Sequence, residues 1–187
     1  MSRVLGIDPG LNITGYGVLD VAAGGPRVCE AGVVRGKTKS SLTARLCEIH
    51  TGVCEVIEAL KPTVVAIEQL YSHYERPRTA ILMGHARGVI CLAAAQAGLE
   101  IVNYAATQVK KTLTGNGHAS KVQMQHAVKF ELKLEALPEP ADVSDALAVA
   151  LCHYYSNRDW AALAKRPAVK QILNPTADAD ELDLELD

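Results

Sequence analysis

The sequence lacks the features that would mark a membrane protein or a zinc protein. It has no run of about 18 uncharged apolar residues, so we expect no membrane span. Its five cysteines are widely spaced and none forms a Cys-x-x-Cys pair, which argues against a zinc site. Most of them have apolar neighbours, so we expect small core residues that stay reduced in the cytoplasm. Strand-like sequence begins at once, so we predict no signal peptide.

The last ten residues contain no basic side chain. Six acids lie there: Asp178, Asp180, Glu181, Asp183, Glu185 and Asp187. The formal net charge of −2 therefore hides an asymmetry, because residues 1–177 carry 19 bases against 15 acids, or +4. A basic body suits a polyanionic partner, although many proteins without such a partner have a similar charge. We expect the tail to be disordered, as a solubilising end rather than a docking peptide.

The pattern of apolar residues and turn signals predicts one mixed α/β domain. Strands are predicted at residues 3–8, 13–20, 27–35, 63–68 and 99–104, and helices at residues 41–60, 79–97, 105–113, 120–132 and 142–155. The short links between the first three strands favour an antiparallel meander. Later strands alternate with helices, which is typical of parallel strands with helices on the sheet faces. No internal repeat or linker divides the chain.

Four acids stand where apolar segments begin or end. Asp8 follows an apolar run and precedes a Pro-Gly turn signal, and Glu68 follows Val-Val-Ala-Ile. Asp142 and Asp145 lie three residues apart in the first turn of the last predicted helix, so they share one face. Such acids are costly unless a cation compensates them. Two Mg²⁺ ions about 4 Å apart, held by oxygen ligands, can hydrolyse a phosphodiester. The four acids together predict a metal site.

Each acid also has an ordinary structural explanation. Asp8 before Pro-Gly could be a turn former, Asp142 a helix cap and Asp145 a common first-turn acid. Glu68 is harder to explain in this way, because Glu is a poor strand residue. The combination of the four favours the metal site over the separate explanations.

Several short motifs follow one another in a specific order. They are Gly6-Ile7-Asp8-Pro9-Gly10, Thr14-Gly15-Tyr16-Gly17, Ala66-Ile67-Glu68-Gln69, Gly84-His85-Ala86-Arg87-Gly88, Gln108-Val109-Lys110-Lys111 with Lys121, and Ala141-Asp142-Val143-Ser144-Asp145-Ala146-Leu147-Ala148. Over about residues 3–156 the chain resembles the RuvC family of bacterial Holliday-junction resolvases. The resemblance implies an RNase H-like fold, a five-stranded mixed sheet (antiparallel meander plus parallel strands) flanked by helices. We therefore predict a nuclease domain at residues 1–157 and a C-terminal extension at residues 158–187.

The resemblance also implies the activity and its machinery. It implies a homodimer that nicks two opposed strands of a four-way DNA junction in recombination and repair. RuvA and RuvB, the branch-migration proteins, would be partners. It implies two Mg²⁺ ions per active site, with Mn²⁺ as an alternative. The implied metal ligands are the four acids: Asp8, Glu68, Asp142 and Asp145. Lys110 and Lys121 fall where the family carries catalytically important bases.

Aromatic and basic side chains extend the implied site onto DNA. Tyr71 falls where the family has an aromatic beside the junction; its ring could stack on an unpaired base or pack on its own loop. We predict phosphate contacts from five bases: Arg76, Arg78, Lys110, Lys111 and Lys121. Gly84 and Gly88 permit close packing of the long helix, either on the sheet or across a dimer axis. Arg87 is predicted to be structural.

Three other functions are compatible with parts of the sequence. Sugar kinases and chaperone ATPases also open with a glycine-rich strand that ends in Asp, but they need a second such subdomain, which this chain lacks. A different RNase H-like nuclease would use the same acids, and only the ordered motifs argue against it. A junction-binding protein without catalysis would not need the complete acid set.

Overall fold

The computed structural model describes residues 2–36, 40–70 and 77–156, within which ten elements follow one another. They are β1 (Ser2–Asp8), β2 (Ile13–Ala22), β3 (Gly25–Arg35), α1 (Leu42–Leu60), β4 (Val64–Glu68), α2 (Pro77–Gln96), β5 (Glu100–Tyr104), α3 (Ala106–Thr114), α4 (Lys121–Glu131) and α5 (Ala141–Ser156). All ten elements predicted from the sequence are confirmed, with each boundary shifted by at most two residues. The predicted C-terminal extension lies outside the described residues.

The five strands form one mixed sheet in the order β3-β2-β1-β4-β5. The first three strands pair antiparallel, β4 joins β1 in parallel, and β5 joins β4 in parallel. Ile7 pairs with Ile67 in the parallel register. The residues that follow this pair, Asp8 and Glu68, therefore leave the sheet at the same edge.

Alternation along the strands separates two buried cores. Leu5, Ile7 and Ile67 pack with residues of α1 and α2 on one face of the sheet. Val4 and Ala66 point to the opposite face and pack with residues of α3, α4 and α5. The sheet thus lies between two helical layers, and α5 is the most enclosed helix, since twelve of its sixteen residues are buried.

Close contact between α5 and the sheet depends on glycine. A Cβ atom on Gly6 would lie 2.2 Å from the carbonyl oxygen of Ala146, and one on Gly15 would lie 2.0 Å from that of Asp142. Any side chain at these two positions would push the helix away from β1 and β2. The glycines therefore set where the first turn of α5 lies above the sheet.

The prediction that the cysteines are mostly core residues is wrong for two of the five. Cys152 is buried and Cys54 and Cys91 are half-buried, but Cys29 and Cys47 are exposed, and all five are free thiols. Cys29 lies on β3, which is an edge strand, and Cys47 lies outside the buried Ile49–Val53–Ile57 stripe of α1. Apolar neighbours in sequence do not reveal which face is covered. None of the helices in the described ranges has the length and hydropathy that a bilayer crossing requires.

Candidate metal and catalytic site

The sheet edge places two of the predicted acids side by side. Asp8 lies two residues after Gly6, and Glu68 lies two residues after Ala66, which pairs with Gly6. Since side chains alternate along a strand, both carboxylates point to the face covered by α5. Thr14 Oγ1 donates a hydrogen bond of 2.7 Å to the carbonyl oxygen of Gly10, so the turn after Asp8 has its own support.

The first turn of α5 brings the other two acids to this edge. Gly15 pairs directly with Asp8, and the backbone of Asp142 lies against Gly15. Asp142 is inside the helix, which begins at Ala141, and Asp145 lies three residues later. Both acids are half-buried. The backbone contact at Gly15 is therefore what brings the α5 acids toward Asp8.

Two lysines from other helices face the same acids. The α4 helix begins with a capping box, in which Ser120 Oγ accepts from the backbone N–H of Gln123 and the Gln123 side chain accepts from that of Ser120. Lys121 follows as the first helical residue, and its Nζ lies 3.1 Å from Asp145 Oδ2. A cavity of about 250 Å³ opens here, lined by Glu68, Ala106, Val109, Lys110, Lys121, Met124, Asp145 and Ala148.

Burial and mutual repulsion make Asp8 hard to ionise. Burial, followed in order of size by the negative charges of Glu68, Asp145 and Asp142, raises the pKa of Asp8 to about 7, against the opposing charge of Lys121. All three partner acids act on Asp8, so the four carboxylates lie within one electrostatic neighbourhood. That neighbourhood has more negative charge than its lysines neutralise.

Glu68 and Lys121 respond to the same cluster. Burial, and then the charge of Asp145, raise the pKa of Glu68, while Lys110 and Lys121 oppose this shift. The hydrogen bond to Asp145 raises the pKa of Lys121, so the ammonium form is favoured beside the acids. The lysines therefore compensate the cluster only in part.

The donor chemistry of the cluster suits Mg²⁺, although its geometry is not that of a closed cage. Across residues 2–36, 40–70 and 77–156, no three carboxylate, imidazole or thiol groups are arranged as a ligand set. The four side chains nevertheless offer only oxygen donors, and Mg²⁺ typically keeps several waters and binds through few protein carboxylates. The residues present fit such an ion by charge and by donor type.

The remaining predicted residues differ in exposure and in whether they line the cavity. Arg78 and Lys111 are exposed, whereas Lys110 lines the cavity. Arg87 donates from Nη2 to Asn103 Oδ1 on β5, which agrees with the structural role predicted for it. Tyr71 and Arg76 lie outside the described residues.

Three contributors to the site were missed in the sequence reasoning. The capping box is readable as Ser-x-x-Gln before an apolar stretch, and it would have identified Ser120 as the cap that holds the first turn of α4. The close contact at Gly15 has no local signal, because it depends on a helix more than a hundred residues later. Met124 looks like any core residue until α3, α4 and α5 are packed together.

Comparisons with known proteins agree with the fold and the motifs. A family model described as crossover junction endodeoxyribonuclease RuvC matches residues 4–153. The RuvC of Rhodopirellula baltica is 57% identical over 159 residues, covering 83% of this chain and 88% of the relative. Thermus thermophilus RuvC in complex with a Holliday junction substrate has a TM-score of 0.78 at 34% identity, covering 84% of this chain and 96% of that chain. The yeast mitochondrial Holliday junction resolvase Ydc2 shares the fold, with a TM-score of 0.60 at 15% identity, over 92% of this chain and 85% of that chain.

Proposed function

This chain belongs to the RuvC family of crossover junction endodeoxyribonucleases, and we propose that it cuts junctions by paired symmetric nicks at a two-metal site. The chain is an RNase H-like endonuclease that resolves Holliday junctions in DNA recombination and repair. The observation that supports the metal site most directly is the excess negative charge around Asp8, whose pKa is raised to about 7.

We assign metal binding to the four acids of the cluster: Asp8, Glu68, Asp142 and Asp145. Family membership implies a divalent metal, and we propose two Mg²⁺ ions per active site, with Mn²⁺ as an alternative. Such ions would supply an activated water and charge stabilisation for the leaving oxygen. The support for this assignment is the shared electrostatic neighbourhood of the acids and their oxygen-only donor set.

The lysines at the cavity have a separate role in the proposal. Lys121 pairs with Asp145 in the free protein, and Lys110 faces Glu68. A scissile phosphate that enters the cavity would bring negative charge to both ammonium groups. We propose that these two lysines hold that phosphate and stabilise the charge that develops in the transition state. Arg78 and Lys111, both exposed, and Arg76 and Tyr71, which lie outside the described residues, are proposed as further DNA contacts.

The outer face of α2 supports a homodimer. Ile81, Gly84, Gly88 and Leu92 fall within one side of the helix, since their spacings of three and four residues follow the helical repeat. Ile81 is 60% and Leu92 50% exposed, and within the described residues no atom beyond the local helix backbone lies within 4 Å of a Cβ built on either glycine. The glycines therefore do not pack on the sheet. Of the two uses predicted from sequence, close packing across a dimer axis is the one that this arrangement supports. A two-fold dimer presents two equal sites to two opposed strands.

The remaining assignments rest on the family resemblance and on composition. From the resemblance we propose RuvA and RuvB as partners and a nuclease domain at residues 1–157. From the cysteine pattern we propose the cytoplasm as the location, and from the charge pattern a C-terminal extension at residues 158–187 that ends in an acidic tail.

The deciding experiment offers the protein a mobile four-way junction, a linear DNA duplex and an RNA–DNA hybrid of matched sequence, with Mg²⁺, with Mn²⁺ or with chelator. We expect paired symmetric nicks in the junction only, and only with metal. Cleavage of the hybrid would point to another RNase H-like activity, and cleavage in chelator would contradict the metal assignment.

A further inference from the structure

The outer face of α4 exposes large apolar side chains that the resolvase site does not use. Val122 is 60% and Phe130 49% exposed, and His126, also exposed, lies between them on the same side of the helix. The opposite side of α4 is packed into the core through Met124 and Ala127. We call Val122, His126 and Phe130 the α4 outer face. Apolar side chains that follow one helix face in this way mark a contact surface more often than isolated ones do.

The end of α5 directs the chain to this surface. Tyr155, the second-last residue of α5, donates a hydrogen bond from its hydroxyl to Glu131 Oε2. Glu131 is the last residue of α4 and directly follows Phe130. The chain therefore leaves α5 beside the Phe130 end of the α4 outer face.

The residues that follow contain the apolar side chains such a surface needs. Residues 157–173 include Trp160, the single tryptophan of the chain, and then Leu163, Ile172 and Leu173. The family model ends at residue 153, so it does not cover this stretch. It also precedes the acidic residues 178–187, so its apolar character is separate from theirs.

Simple geometry shows that the segment can reach the surface. Three residues separate Ser156 from Trp160, and the four residue-to-residue steps between them extend to at most about 14 Å. Along α4, Val122 and Phe130 are about 12 Å apart, given the rise of about 1.5 Å per residue. Trp160 can therefore reach Phe130, and residues beyond it can reach Val122. A link this short holds Trp160 at an effective concentration of order millimolar, which favours its own chain over a separate partner.

We propose that residues 157–173 dock on the α4 outer face of the same chain, with Trp160 against Phe130 and the following apolar residues toward Val122. Docking would cover apolar surface on a helix whose first residue is Lys121. The segment would thereby become part of the fold, distinct from the acidic residues after it.

The test uses the fluorescence of Trp160 in the full-length protein, without DNA or metal, so that it is independent of the nuclease assignment. Selective excitation reports on this one indole. We expect a blue-shifted emission and strong protection from acrylamide in the unmodified chain. Phe130→Ser and, separately, Val122→Ser should red-shift the emission and raise the quenching constant several-fold, because each removes apolar contact. Phe130→Leu should keep most of the protection.

Leu92→Ser is the matched control, since it removes a similarly exposed apolar side chain from α2 and should leave Trp160 protected. Far-UV circular dichroism checks that each variant is folded. A water-exposed Trp160 in the unmodified chain would overturn the proposal, as would protection that neither α4 substitution changes. Protection that disappears on dilution would assign the α4 outer face to a second copy of the chain and would equally overturn docking within one chain.

Discussion

The helices on the two faces of the sheet, α5 and α2, differ in how they meet their surroundings. α5 lies directly on β1 and β2, with its backbone against Gly6 and Gly15, and most of its residues are buried. α2 carries two glycines, Gly84 and Gly88, whose Cβ positions meet no neighbouring element of the described part of the chain, and exposed apolar side chains lie beside them. Glycine therefore does opposite things in the two helical layers. Under α5 it fixes the position of the acids that we propose as metal ligands, and on α2 it leaves a helix face uncovered, which we propose as the dimer surface.

The largest expected difference between the two helices concerns the rate of DNA cleavage, which should depend on the acids of α5. We expect Asp145→Asn to reduce junction cleavage by at least about 100-fold, the scale on which one electrostatic group acts in an active site. Folding and junction binding should remain, because Asn has nearly the same shape as Asp. Cleavage rates and gel-shift affinities measure the two properties separately.

Asp20→Asn is the control for this substitution. Asp20 is a half-buried acid that pairs with Arg3 at 2.6 Å, away from the cluster. The Asp20→Asn variant should cleave the junction at the same rate as the unmodified protein. Full cleavage activity in Asp145→Asn, or an equal loss of cleavage in both variants, would contradict the assignment of Asp145 to the metal site.

The next effect is on stability and has opposite signs in the two helical layers. Gly6→Ala should lower the free energy of unfolding by about 3 kcal/mol, because the new Cβ would meet the carbonyl oxygen of Ala146 and α5 must shift. Gly84→Ala should raise the free energy of unfolding of a subunit by about 0.5–1 kcal/mol, because alanine is the better helix former and meets no atom there.

Urea unfolding of both variants, followed by circular dichroism, checks this pair. If Gly84→Ala were as destabilising as Gly6→Ala, α2 would be packed in a way that the described residues do not account for. The contrast between the two helices would then be lost.

A third substitution tests whether the open face of α2 is an assembly surface. Leu92→Glu should dissociate the proposed dimer, because a charge in an apolar interface has no compensating partner. The unfolding free energy of the subunit should change little, since Leu92 is 50% exposed. Sedimentation velocity over a range of concentrations measures the assembly. Val122→Glu, at a position 60% exposed on α4, should leave the dimer intact; dissociation by both variants would indicate a general effect of charge.

The smallest expected effect comes from a buried histidine on α5. Burial lowers the pKa of His153 below its ordinary 6.5, against an opposing effect of Glu100. The unfolded chain therefore takes up the proton first, and the stability linked to His153 is complete above pH 6.5 and declines as the pH falls below it. Thermal unfolding from neutral to mildly acidic pH should show a shallow decline that His153→Gln reduces. An identical decline in the variant would exclude His153 as its source.

Local sequence was sufficient for the elements and for the acids at their ends. Val-Val-Ala-Ile before Glu68 and the Pro-Gly after Asp8 are short-range signals, and they located two strand ends to within a residue. The i, i+3 spacing of Asp142 and Asp145 likewise needed only a helix. Exposure was predicted less well, as Cys29 and Cys47 show, because it depends on which neighbours cover a face.

By itself, the sequence determined the order of strands and helices, the family motifs and the four acids, since these follow from residues close together in the chain. Only the tertiary structure decided how the acids meet. Asp142 approaches Asp8 because α5 rests on Gly15, and Lys121 pairs with Asp145 because α4 begins beside α5. The structure also decided that Gly84 and Gly88 face away from the sheet, with no contact to another element among residues 2–36, 40–70 and 77–156. Contacts between residues more than a hundred positions apart depend on the packing of whole helices against the sheet. A local sequence pattern does not predict which of these residues will meet.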